Sequence, residues 1–67
     1  MSDIFEVEIN GIKYSCTRII HGKTQTLYYE TEKLIDPETH DSKETMDLNA
    51  TSLCKQLIHQ YLKNIKK

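Results

Sequence analysis

Apolar and polar residues alternate on both sides of Asn10-Gly11 in "FEVEINGIKYSC". A two-residue period is the pattern of a strand with one face buried. Asn-Gly between two such runs signals a tight hairpin, because a type I′ turn needs positive φ at both central residues. A two-residue turn sets Ile9 opposite Ile12, Val7 opposite Tyr14 and Phe5 opposite Cys16. One face then collects Phe5, Val7, Ile9, Ile12, Tyr14 and Cys16, and the other Glu6, Glu8, Lys13 and Ser15.

The next turn, "IIHGKTQ", fits either a loop of His21-Gly22 alone or one running from His21 to Thr24, and both keep the same faces. With the shorter loop Cys16 meets Leu27 and Tyr14 meets Tyr29, which extends the apolar face into a third strand, "TQTLYYE". Glu30 then joins Lys13 and Glu8 in a row of alternating charge, worth a few tenths of a kcal/mol per pair and useful mainly for register.

The run "KLIDPETHDSKETMDL" has two readings. If Pro37 to His40 form a turn, Lys33 faces Glu44, Thr31 faces Met46 and Tyr29 faces Leu48, which makes a fourth strand with Met46 and Leu48 on the apolar face. Glu30 opposite Asp47 opposes that pairing. The alternative is a long polar loop, which compact domains seldom tolerate. The pattern favours the strand.

In "NATSLCKQLIHQYLKNIKK" the period changes. Leu53, Cys54, Leu57, Ile58, Tyr61, Leu62 and Ile65 recur at the three- and four-residue spacing of one helical stripe. Asn49 or Thr51 can cap its start, and Lys63, Lys66 and Lys67 complement the dipole at its end. The expected fold is α+β, an antiparallel meander of three or four strands with one C-terminal helix packed on one face, in two layers. Val7, Tyr14, Leu27, Leu57 and Tyr61 are expected in its core.

Sixty-seven residues allow one small domain, residues 1–67, with a thin core. Such a chain seldom encloses a deep pocket, so an enzyme is not expected unless subunits share a site. A net charge of -1 with both signs dispersed creates no field toward phosphate backbones, so nucleic acid is not an expected partner. Lys dominates the basic residues, Arg18 is the only Arg and Ala50 the only Ala, a bias that fits an AT-rich bacterial or phage genome. The start "MSDIFEVEIN" lacks the pattern of a secretory signal and no segment has the length of a membrane helix, which leads us to expect a cytoplasmic protein without membrane contact. In that compartment Cys16 and Cys54 are expected as free thiols, and the sequon at Asn49 has no glycosylation meaning.

Candidate chemistry is sparse. Cys54 and His59 are five apart on a helix and point in different directions; His21 and His40 fall in turns; no Cys or His pair has zinc spacing. No catalytic, cofactor-binding or metal residue is assigned, and no cofactor is expected. Three of the four tyrosines, Tyr14, Tyr29 and Tyr61, point to the core, leaving Tyr28 outside without the basic surroundings of a base-stacking platform. Cys16 and Cys54 themselves read as small core residues that approach across the interface of sheet and helix.

The outer sheet face departs from an ordinary solvated surface. Ile4, Thr17, Ile19, Thr26 and Tyr28 form one uncharged area there, a pattern of contact surfaces. The order of three strands and a helix resembles sheet-type DNA-binding domains of integrases in topology, which implies cationic side chains projecting from the sheet. Here the sheet projects mixed charge. The leading expectation is a small non-enzymatic interaction or accessory protein that binds a protein partner or itself, with a homodimer as one form. A weak nucleic-acid-binding domain is the alternative, and a composite enzyme site between subunits comes third.

Overall fold

The computed structural model describes residues 1–65. It contains β1 (Ser2–Ile9), β2 (Ile12–His21), β3 (Thr24–Tyr29), β4 (Glu32–Ile35) and α1 (Lys43–Ile65). The strands form one antiparallel sheet in the order β1-β2-β3-β4, and α1 packs on one of its faces. This is the two-layer α+β arrangement that the alternation and the helical stripe predict. Lys66 and Lys67 lie outside the described residues.

The first hairpin has the expected register, from Ile9↔Ile12 through Phe5↔Cys16, and Asn10 and Gly11 take φ of 52° and 79°. The second hairpin differs from the shorter-loop register. Its turn is Gly22-Lys23, closed by His21↔Thr24, and Arg18 rather than Cys16 stands opposite Leu27. Glycine takes the first central position with φ 61°, the position at which a type II′ turn demands it. The ladder therefore includes Ile20↔Gln25, the pair that the longer loop places first.

Residues 32–48 follow neither of the expected paths. The chain reverses early, at Glu30-Thr31, and β4 pairs with β3 through Tyr29↔Glu32 to Thr26↔Ile35. Glu30 sits at φ 53°, a left-handed conformation that Gly or Asn adopts more easily, so composition gave no warning of the turn. Glu30 consequently leaves the outer charge row, which reduces to Glu8 and Lys13. The segment around Pro37 is a loop, tied by the Glu38 amide donating to Asp36 Oδ1 at 2.9 Å and the His40 amide donating to the Lys23 carbonyl at 2.8 Å.

Residues 44–48 are helix, not strand. Ser42 caps α1: its Oγ accepts from the Thr45 amide at 3.3 Å, and its carbonyl takes the first helical bond from Met46 at 3.2 Å. Asn49 and Thr51, the expected caps, lie inside the helix. Helical geometry separates two residues that a strand would have put on one face, so Met46 is buried and Leu48 is exposed.

The core lies between sheet and helix. Val7, Cys16 and Leu27 pack there against Ala50, Leu53, Cys54, Leu57 and Ile58. Of the expected core residues, Tyr14 and Tyr61 are half-buried at its rim, where both meet Tyr29 edge-on, with ring centroids 6.3 and 5.3 Å away. Ile65 is exposed. Cys16 and Cys54 are not free thiols: they form a disulfide between β2 and α1, with Cα atoms 6.4 Å apart and a sequence separation of 38. The helical stripe sets Cys54 directly over Cys16. The free-thiol expectation followed from an assumed reducing compartment, whereas disulfides belong to oxidising surroundings.

Candidate functional site

With one helix for four strands, only one face of the sheet is covered. On the other face the register aligns side chains in rows. One row runs Ser2, Ile19, Thr26, Ile35, and the next Ile4, Thr17, Tyr28, Lys33. All five expected interaction residues, Ile4, Thr17, Ile19, Thr26 and Tyr28, thus share one continuous area, and Ile35 joins them because β4 forms earlier than the sequence led us to expect.

The relief of this area is uneven. Ile4 and Ile35 at its margins are 64% and 60% exposed, Ile19 and Tyr28 are half-buried, and Thr26 between them is only 8% exposed. Threonine is short, and its larger row neighbours shade it. Charge is confined to the borders, with Glu6 and Glu8 on β1, Lys13 on β2 and Lys33 on β4, all of them exposed. No ion pair within the described residues engages Glu6 or Lys33.

The helix-covered face holds a second assembly, which the sequence reading missed. Arg18, 2% exposed, donates Nε to Asp3 Oδ1 at 3.0 Å and Nη2 to Asp3 Oδ2 at 2.8 Å. Its Nη1 reaches Asp47 Oδ1 at 2.7 Å, and the guanidinium lies 4.9 Å from the Phe5 ring centroid. Next to it Gln25 Nε2 donates to Asp36 Oδ2 and to the Met46 carbonyl, both at 2.9 Å. Asp36 also accepts from Asn49 Nδ2 at 2.8 Å and pairs with His40 Nε2 at 2.7 Å. The network joins β1, β2 and β3 to the first turns of α1.

The electrostatics follow from these partners. The hydrogen bond from Arg18 holds the Asp3 carboxyl below the usual range, against the opposing effect of desolvation. Burial by itself would raise Asp36, but hydrogen bonds from Gln25, Asn49, the Glu38 amide and His40 outweigh it and bring the carboxyl down to about 2. Arg18 is held firmly in its charged form, chiefly by Asp3. Every buried side-chain nitrogen and oxygen of the described residues has a partner. A fully satisfied network of this kind rigidifies the fold and specifies one arrangement of its elements.

Of the other suspected residues, His21 is exposed at the end of β2 and His59 is exposed on α1. Among the described residues no group of three or more His, Cys, Asp or Glu side chains gathers as a metal site. No helix among them is long and apolar enough to cross a membrane. Comparison of the chain with protein-family models, with curated proteins and with solved structures finds no match.

Proposed function

We propose that the protein is a non-enzymatic interaction module, an accessory or regulatory factor that binds another protein surface through the uncovered face of its sheet. The observation that carries this reading is the row structure of that face. Isoleucine and tyrosine occupy positions where a solvated sheet would carry charge, and threonines and a serine fill the spaces between them. Hydroxyl groups keep such a surface compatible with water until a partner covers it. The buried polar network and the disulfide serve the same end by holding the four strands in one shape, since a pre-organised surface loses less entropy on binding.

Site-directed photo-cross-linking in the native cell tests the reading. A benzophenone amino acid at Ile19 should form adducts with protein, and the same group at Gln60, exposed on the far side of α1, should not. Equal labelling from both positions, or none from Ile19, would reject the outer face as the binding surface.

A further inference from the structure

The partner of this face can be read from the order of side chains in its rows. We propose that the face binds a second copy of the chain, face to face, about a two-fold axis running parallel to the strands between β2 and β3. The inference rests on the reading of the outer face as the binding surface and names its occupant.

Such an axis lays β1 of one copy over β4 of the other and β2 over β3, while each row keeps its level along the strands. The first row then meets itself reversed: Ile19 settles on Thr26 of the second copy, and Ile35 on Ser2. In the second row Tyr28 settles on Thr17, and the aliphatic stem of Lys33 on Ile4. In both central contacts of each row a large side chain meets a small one, and the low centre at Thr26 receives the isoleucine. Sheets packed face to face interlock in this way when their strands run within about 30° of each other.

Charge agrees with shape. Glu6 borders the β1 margin and Lys33 the β4 margin, and neither is paired within the described residues. The same axis brings Glu6 of each copy beside Lys33 of the other, so one attractive contact arises twice. Glu8 and Lys13, which face each other across the first hairpin, lie outside the two rows. A face of four short strands is small beside the roughly 800 Å² per partner of a standard interface, so association should be reversible and concentration-dependent.

Sedimentation equilibrium over a range of protein concentrations tests the arrangement, with circular dichroism to establish that each variant is folded. Wild type is expected to dimerise. Glu6→Lys and Lys33→Glu should each weaken the dimer by about tenfold or more, because each puts like charges together twice, and the two combined should restore it to near the wild-type value. Thr17→Trp, which fills the seat of Tyr28, should weaken the dimer without any change in charge. A dimer insensitive to these three substitutions would overturn the inference, as would charge reversals that fail to rescue each other. Wild type that stays monomeric while the probe at Ile19 cross-links a different protein would overturn the choice of partner and leave the binding face standing. Monomeric wild type with no adduct from Ile19 would reject both.

Discussion

Asp3 and Arg18 stand opposite each other in the first hairpin and form a two-pronged ion pair on the helix-covered side of the sheet. The pair sits on an inward face that otherwise buries apolar residues, and Asp47 on α1 completes it. Its cost and its worth are unequally divided. The Arg18 side chain is almost wholly buried, whereas Asp3 and Asp47 are each 40% exposed, so water can take over the carboxylates if the arginine is removed. Arg18→Met is therefore expected to destabilise the fold by about 2 kcal/mol, below the 3–5 of a pair broken in full burial. Urea unfolding measures this. A variant as stable as wild type would mean that the methionine replaces the network by packing alone.

Asp36 gives the fold a defined acid sensitivity. Its carboxyl lies at about 2 in the folded protein against 3.8 for the ordinary group. A depressed pKa stabilises fully above the unfolded value and is lost as pH falls through the folded one, so the loss runs from pH 3.8 down to about 2. The difference corresponds to about 2 kcal/mol. Stability curves at several pH values in this window should fall steeply for wild type and less steeply for Asp36→Asn, whatever the variant loses at neutral pH.

The two polar clusters show how much the sequence made legible. Asn10-Gly11 sets a register in which Asp3 must face Arg18, and the alternation of β2 puts Arg18 on the same side as Cys16 and Tyr14. A lone arginine at an inward position opposite an aspartate was thus available to be read. Gln25 and Asp36 were less so, because their positions depend on two later turns. Gly22 permits more than one loop, and Glu30 adopts the left-handed conformation without the residue type that announces it. The helix start was hidden for a related reason: Ser42 caps it with Thr45 at the third helical position, where the capping-box pattern calls for Glu or Gln. The outer face survived these errors, because a slip of two residues in register leaves every side chain on its own face.

Glu30 itself is a test of that account. With φ at 53° its Cβ crowds the following carbonyl, a penalty of about 1–2 kcal/mol that glycine avoids. Glycine in turn frees the unfolded chain, which returns part of the gain. Glu30→Gly should raise stability by roughly 1 kcal/mol net. A melting temperature at or below that of wild type would indicate that the glutamate side chain contributes an interaction that offsets its backbone.

The disulfide sets the largest conditional term in the stability of the chain. It joins β2 to α1 across 38 residues, a loop for which the lost freedom of the unfolded state corresponds to about 3–4 kcal/mol. In a domain this small that is a large share of the whole, since native proteins are stable by only about 5–15 kcal/mol. Both cysteines are buried between the helix and the sheet, so a reductant reaches the bond only when α1 lifts from the sheet. Two results should follow. Cys16→Ala with Cys54→Ala, and wild type unfolded and refolded in dithiothreitol, should both lose stability in urea. Folded wild type should resist the same reductant until mild denaturant is added, as followed by alkylation and mass. Rapid reduction without denaturant would show that the helix opens easily over Cys16. Unchanged stability after complete reduction would show that packing of Leu53, Leu57 and Ile58 holds the helix down without the covalent bond.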